Sequence, residues 1–535
     1  MAVIMALVAI VLLPAASGAA EGEAGQEAAP AQGPPPIELS LQDAIRLAVE
    51  GNLDIQVARL EPEMSLQDEI VALSFYDPNL FASYQKDKQK QMPSDFLQSS
   101  SSETDVYIVG VDKEFTTGGK ATLSWYNSRN DQTAYYPIAF NPSYGTSFGL
   151  SFTQPLLRNW RGRPQQNRIV IARNNLEVSR SSVQTTALDT LKGVTDAYWD
   201  LKAAHANLKV ARESLELAEK QLKLNRAKVE VGTAAPIEIT QAEAGVSSRE
   251  ESVIIAENLI RTAEDNLRQV LNPPKTSELW TRPIVAKDEP AYEIVSPLMD
   301  DEVATALSTR PELEQERLRQ KNLELQAAID ADGVKPQLDL SGYYNLSGTA
   351  GDQRIDKAVD KNGDGTLEPV DANGDGLNDV IFVPESITDA WKMITDRELP
   401  NWGVGLAFSV PIGNRAAKAA YARSLLAVEQ GRLSLQSAEL GVEIEVRDAV
   451  RQVETNVKRV SAARKNVELQ VKNLEAEEKR FQYGMTTSFQ VLQYQRDLTD
   501  AKSATVRAVL DYMKSLAALA RATGTLLEKQ GVEVR

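Results

Sequence analysis

The sequence predicts a mostly α-helical chain that is built twice over, with groups of β-strands set between very long helices. Three observations predict it. The first is a helix from about Gly162 to Val231 that carries two apolar stripes. Leu201, Ala204, Leu208, Ala211, Leu215, Ala218 and Leu222 alternate steps of three and four, the seam of a coiled coil. Ala203, Val210, Leu217, Leu224 and Val231 recur at steps of seven, roughly 130° round the axis at about 100° per residue. Two seams at that angle give the helix a neighbour on each side, like a stave in a wall. At about 1.5 Å per residue the stave is on the order of 100 Å long. The second observation is a set of period-two segments, such as Tyr144, Thr146, Phe148, Leu150 and Phe152 alternating with Gly145, Ser147, Gly149, Ser151 and Thr153. The third is recurrence. Pro78-Asn-Leu80 matches Pro336-Gln-Leu338, Gly149-Leu-Ser-Phe-Thr-Gln-Pro155 matches Gly405-Leu-Ala-Phe-Ser-Val-Pro411, and Val231-Gly232 matches Tyr483-Gly484. The offset stays near 255 residues, which marks a tandem duplication.

In order, residues 1–20 form a signal peptide: an apolar run from Ala2 to Leu13, then small residues at Ser17, Gly18 and Ala19, without a positive leading region. Residues 21–39, rich in Ala, Gly, Pro and Glu, form a disordered linker. No later stretch has the apolar length of a spanning helix, so an exported chain of this kind enters a membrane only as a β-barrel. The first repeat covers 40–272. Ser40 and Asp43 make a capping box, Gly51–Asn52 interrupts the helix, and a second helix runs to about Phe75. Strands lie within 79–155, including a pair around Thr116–Gly119, while Gln91–Ser102 and Asn127–Ser143 are loop-like. The long helix stops at Val231-Gly232-Thr233, and a return helix ends before Asn272-Pro273-Pro274. Residues 273–296 are a connector with Trp280. The second repeat, 297–525, has strands at 337–346 and 401–411 and its own seam, Val446, Val450, Val453, Val457, Val460, Val467, Val471, Leu474 and Phe481. Residues 526–535 are a tail. In each half the helix before the strands and the return helix, end to end, about equal the long helix. That makes four stave widths per chain, too few for a wide tube, and implies a closed cyclic homo-oligomer.

Composition excludes several function classes. A net charge of −17 argues against nucleic acid. The absence of cysteine removes disulfides, thiolate metal sites and a lipid-bearing N-terminal cysteine. The single histidine, His205, is a surface or seam filler. With no nucleophile–base pair or phosphate loop in evidence on the helices, the chain reads as neither an enzyme nor a cofactor protein. The one metal-like stretch is D-x-N-x-D-G, present twice and eleven residues apart. Asp360, Asn362, Asp364, Asp371, Asn373, Asp375 and Asp379 offer alternating oxygens beside glycine turns, as calcium needs. The stretch lacks the closing Glu of an EF-hand, and a flexible acidic loop is the plainer alternative.

Two segments carry a family resemblance: Arg226-Ala-Lys-Val-Glu-Val-Gly-Thr-Ala-Ala-Pro-Ile-Glu-Ile-Thr-Gln-Ala242 and Arg480-Phe-Gln-Tyr-Gly-Met-Thr-Thr-Ser-Phe-Gln-Val-Leu-Gln493. With Arg310-Pro-Glu-Leu313 and Pro336-Gln-Leu-Asp-Leu340, in duplicated order, they resemble TolC-type outer-membrane efflux proteins from about Glu38 onward. The resemblance implies a homotrimer whose long coiled-coil helices form a periplasmic α-barrel and whose strands form a β-barrel in outer-membrane lipid. It implies passive exit for substrates of an inner-membrane pump and a periplasmic adaptor, in efflux or type I secretion. It makes the hairpin tips at Gly232, Thr233, Gly484 and Met485 the adaptor contacts. It places a periplasmic gate at Glu238, with Gln490 and Gln493 where acids are expected and Thr486 where a base is expected. A ring of three Glu238 carboxylates then binds cations. The family norm is four strands per chain; this chain offers up to six. The insertion at 350–395 falls outside the cell. The rival readings are a secretion-only conduit, a periplasmic coiled-coil scaffold and a calcium-binding surface protein.

Overall fold

The computed structural model describes residues 35–94, 98–134, 139–290, 295–360, 368–372 and 379–532. The expected signal peptide and most of the expected linker lie outside the described residues. The linker's end is ordered: β1 (Ile37–Leu39) pairs in parallel with β6 (Ile284–Ala286) from the connector. Ser40 caps α1 (Leu41–Gly51), its Oγ accepting the Asp43 N–H at 3.1 Å. Asn52 then ends α1 and starts α2 (Leu53–Leu73), its Oδ1 accepting from the Asp54 and Ile55 N–H groups.

Four strands follow: β2 (Asn79–Lys90), β3 (Ser99–Glu114), β4 (Lys120–Ala134) and β5 (Phe140–Pro155). The first stave is α3 (Arg163–Glu230), and α4 (Ile237–Leu271) returns beside it. The second half repeats the scheme. It has α5 (Met299–Thr309), α6 (Pro311–Val334) and β7 (Gln337–Asp356), then short β8 (Ala358–Val359), β9 (Glu368–Pro369) and β10 (Val380–Val383). It continues with α7 (Ile387–Thr395), β11 (Leu399–Ser409), the second stave α8 (Arg415–Gln482), α9 (Ser488–Ala522) and α10 (Leu526–Lys529). Both staves are 68 residues long.

The helices form a wall one stave thick. α3 packs against α2 and α4 on one side and against α6 and α9 on the other, and α8 packs against α6 and α9. Half-length helices therefore stack end to end beside each full-length stave. At mid-height, α1, β1, β6, the end of α4 and α10 bury a core on the middle of α3. The Tyr198 hydroxyl is fixed there by the Leu39 carbonyl at 3.1 Å and Asp288 Oδ2 at 2.9 Å. His205 is half-buried beside it, its Nε2 3.2 Å from the Ile284 carbonyl.

Six strands run through one antiparallel sheet in the order β2-β3-β4-β5-β7-β11, and β10 adds only to residues Gln353–Asp356 of β7. The pair around Thr116–Gly119 thus belongs to this sheet.

The structure corrects four sequence expectations. β3, β4, β5 and β7 run on through segments expected to be loop, and β7 reaches Asp356 rather than residue 346. There neither face is apolar, so the period-two signal fades while backbone pairing continues. The insertion at 350–395 accordingly contains strand and an α-helix as well as loop. The tail docks, with Leu526 buried in the mid-height core. Finally, the second stripe of α3 is exposed in its lower half, at Leu224 and Val231, and the buried contact there passes to polar residues beside it. Gln221 and Asn225 are buried there while Leu224 is exposed, because Gln221 donates to Asn225 and Asn225 donates to the Glu238 carbonyl at 3.1 Å.

Candidate functional site

Two regions carry the functional features: the helical tips and the sheet. Both tips have the same backbone. α3 ends at Gly232, φ 77°, with the Thr233 N–H donating to the Lys228 carbonyl at 2.8 Å. α8 ends at Gly484, φ 73°, with the Met485 N–H donating to the Arg480 carbonyl at 2.9 Å. These are six-to-one helix stops that need a left-handed residue, which glycine supplies at least cost. A Cβ at either glycine meets open space, so the constraint is conformational. The tips expose Val231, Ile237, Tyr483, Met485 and Phe489.

The expected gate residues, Glu238, Thr486, Gln490 and Gln493, are all half-buried. Glu238 stands in the first turn of α4, with its Oε2 buried and without a hydrogen-bond partner. Thr486 donates to Glu477 Oε1 at 2.5 Å, and Glu477 is itself buried. Gln493 donates to Asp497 at 2.9 Å along its own helix, and Gln490 is half-buried in the first turn of α9. A contact the sequence reading did not name ties the hairpins together. Lys228 Nζ donates to the Phe481 carbonyl at 2.8 Å and sits 3.6 Å from the centre of the Phe481 ring. Higher up, buried Arg249 donates to Ser214 Oγ at 3.2 Å and to the Gly245 carbonyl at 3.0 Å. Burial, with Arg496 nearby, pulls its guanidinium below the ordinary arginine value. Thr499 of α9 also meets Ser214, at 2.9 Å, so α3, α4 and α9 share one polar knot.

The sheet has two unlike faces. Register places Leu80, Tyr107, Val109, Leu123, Trp125, Phe148, Leu150, Phe152, Tyr344, Trp402, Val404, Leu406 and Phe408 on one face. All are exposed, with Val404 at 72%. The other face carries Ser83, Gly110, Ser124, Ser147, Gly149, Ser341, Gly403 and Gly405, interspersed with Phe81, Ile108, Tyr126 and Tyr343. Phe81 lies over Gly110 and Tyr343 over Gly403. One continuous exposed apolar face, opposite a face of mixed small, polar and aromatic groups, has the pattern of a membrane barrel strand set. Higher on the same apolar face the residues become charged. Lys86 and Lys88 reach Glu103 at 2.5 and 2.8 Å, and Arg129 lies 3.6 Å from Asp131.

α7 marks the change from apolar to charged. Its N-terminus is fixed by a capping box, Ser386 with Asp389, a local signal that the sequence carries inside the 350–395 insertion. Ala390 approaches so near that a Cβ on Gly348 would stand 2.0 Å from the Ala390 carbonyl oxygen. Trp391 donates to Asn127 Oδ1 at 3.1 Å and lies 5.6 Å from the Trp125 ring.

Of the expected calcium ligands, Asn362, Asp364, Asn373 and Asp375 lie outside the described residues. Among the described residues no group of three or more His, Cys, Asp or Glu side chains is placed to hold a metal ion. No helix among the described residues is long and apolar enough to cross a membrane.

A duplicated wall of long helices topped by a two-faced sheet defines a channel-forming outer-membrane protein of the TolC-like fold. The chain belongs to the outer membrane efflux protein family, whose sequence pattern matches residues 115–273 and 303–525. No curated relative matches it by sequence. Among solved structures it is similar to the CmeC outer membrane channel of Campylobacter jejuni, at 16% identity and TM-score 0.62, over 91% of this chain and 86% of that one. It is similar to VceC of Vibrio cholerae, at 14% identity and TM-score 0.62, over 90% and 96%. It is also similar to the open state of the MtrE channel of Neisseria gonorrhoeae, at 16% identity and TM-score 0.60, over 91% and 89%.

Proposed function

We propose that three copies of the chain form one conduit through the outer membrane and across the periplasm, giving passive exit to substrates of an inner-membrane pump and a periplasmic adaptor. The observation that carries this reading is that the protomer is an open wall with two unmet edges. On α2, Leu53, Val57, Leu60 and Met64 are exposed at coiled-coil spacing. On α8, Leu426, Leu433 and Leu440 are exposed at steps of seven. A seam of that kind is stable only against another helix, and a neighbouring copy offers its complement at every edge of a ring. The exposed apolar groups of the tips are the surface on which an adaptor docks, and Glu238 sets the charge of the entrance. Nothing in this role needs an enzyme's machinery. The same reading gives the aspartate–glycine repeats a calcium site outside the cell. Millimolar calcium, but not magnesium, then slows proteolysis of intact cells between Asp352 and Asp389, and equal cleavage removes that site.

The test of the conduit is fractionation followed by native mass measurement. A heat-modifiable trimer in the outer-membrane fraction is the expected result. Release by osmotic shock as a monomer would instead make the chain a periplasmic scaffold.

A further inference from the structure

We infer that three copies close a single barrel of eighteen strands, six from each copy, by pairing β2 of one copy with β11 of the next. This rests on the trimeric reading above and goes beyond it: the resemblance alone implies four strands per chain and twelve in all.

Several observations carry it. β2 and β11 are the two edges of the six-strand sheet, and both are exposed along nearly their whole length. They are 12 and 11 residues long, the length that crosses a bilayer when tilted, whereas the four strands between them have 15 to 20. β2 leaves the helical end of the molecule and β11 returns to it, so the new pair is antiparallel like every other pair in this sheet.

The register supplies an independent check. Starting at Asn79 and stepping across the ladder leads to Asp112, Thr122, Ser151, Tyr343 and Gly403. β11 continues for six residues below Gly403, to Ser409. If the helical ends of β2 and β11 lie level at the junction, each copy contributes a stagger of six residues. The step is even, so Leu80 and Phe408 stay on the apolar face and Ser83 and Gly405 stay inside. Six residues over six strands give a tilt of about 35°, within the range for outer-membrane barrels. At about 4.8 Å between strands the barrel radius is then about 17 Å. Four stave widths from each of three copies, roughly 9 Å apart, give a helical tube of about the same radius. A twelve-strand barrel at that tilt would have about two-thirds of it, since diameter grows nearly linearly with strand number. The hairpin of β3 and β4 therefore widens the membrane section to the bore of the tube. Bulky cargo that clears the tips meets no narrower backbone wall on its way out.

Because the chain has no cysteine, the seam can be tested by paired cysteines on the inner face. Ser83→Cys is combined in turn with Gly405→Cys, Ala407→Cys or Ser409→Cys, the three successive registers that keep the faces. The comparison pair is Ser83→Cys with Gly149→Cys, which would meet only if β3 and β4 lay outside the barrel. Each single variant is first shown to assemble as a heat-modifiable trimer in the outer membrane. The expected result is that oxidation joins the copies into covalent trimers through one β2–β11 pair, while the comparison pair, whose two cysteines lie in one copy, closes no intrachain disulfide and gives no mobility shift on a non-reducing gel. Linkage through the comparison pair, or trimers without any β2–β11 link, overturns the inference while leaving the trimeric reading intact. Absence of trimers in the unmodified protein overturns the reading beneath it.

Discussion

Arg310, at the start of the Arg-Pro-Glu-Leu segment, is 5% exposed and joins three helices. Its guanidinium bonds Glu445 of α8 and, at 2.9 Å, Glu312 of α6. Arg521 of α9 reaches Glu445 at 3.0 Å, Glu312 at 3.2 Å and Asp189 of α3 at 2.7 Å. Burial by itself pushes the Glu312 carboxyl up, but the hydrogen bonds and charges of Arg310 and Arg521 outweigh it and hold it below its ordinary value of 4.5. A depressed folded-state value means the stabilisation is full above about pH 4.5 and is lost as the pH falls through the folded value. Glu312→Gln should therefore lower the melting temperature at pH 7, with the gap to the wild type narrowing as the pH falls below about 4.5. Arg310→Ala removes a buried guanidinium, leaves both carboxylates to Arg521 alone and should cost about 2 kcal/mol, read from denaturant midpoints. At the tips, Glu238 is the acidic group we assign to the entrance. Glu238→Gln should weaken cation selectivity or divalent block in single-channel recordings, and unchanged recordings remove it from the gate.

Among the elements, α7 depends on one close approach. The Gly348 site leaves no room for a methyl group beneath the Ala390 carbonyl, and the helix is otherwise held by Trp391 against Asn127 and Trp125. Gly348→Ala should displace α7 while β7 keeps its pairing to β5. Trp391 is already 39% exposed, so tryptophan emission should shift modestly to the red as it loses its contact with Trp125, whereas an unchanged spectrum would show that the helix tolerates the methyl. The upper strands obey a different rule from the lower ones. Near the helical end, an unbroken run of apolar groups on one face makes each strand legible. Above α7, Lys86, Lys88, Glu103 and Asp105 line the outward face as a charge ladder, and only the backbone pairing continues. Such exposed pairs are worth little singly, so the ladder serves solubility above the membrane more than stability.

At the scale of the whole molecule, the chain leaves two edges open. Its wall ends in exposed leucines on α2 and α8, and its sheet ends in two bare strands. Leu433→Asp places a charge in the α8 seam, where a neighbouring copy would desolvate it without a partner. Native mass measurement in detergent should show a shift from trimer to monomer, while the far-ultraviolet circular dichroism stays that of a helical chain. A fully trimeric variant would place the contact between copies elsewhere on the wall.

The sequence by itself determined the staves, the duplication, the two tip glycines and the lower halves of the strands. Each of these rests on a local periodicity or a local backbone demand that one stretch of chain expresses alone. It also placed Arg310 and Glu238 in named segments without saying what they touch. Tertiary structure alone decided the rest. The lower seam of α3 is built from Gln221 and Asn225, because α4 brings the Glu238 carbonyl within reach, and apolar patterning is blind to a polar seam. The extensions of β3, β4, β5 and β7 exist because neighbouring strands satisfy each other's backbone groups where neither face needs to be apolar. The linker's Ile37–Leu39 and the tail's Leu526 became part of the core only when the fold set them beside α3, since three or four residues carry no period to read and acquire their place from the surface that receives them.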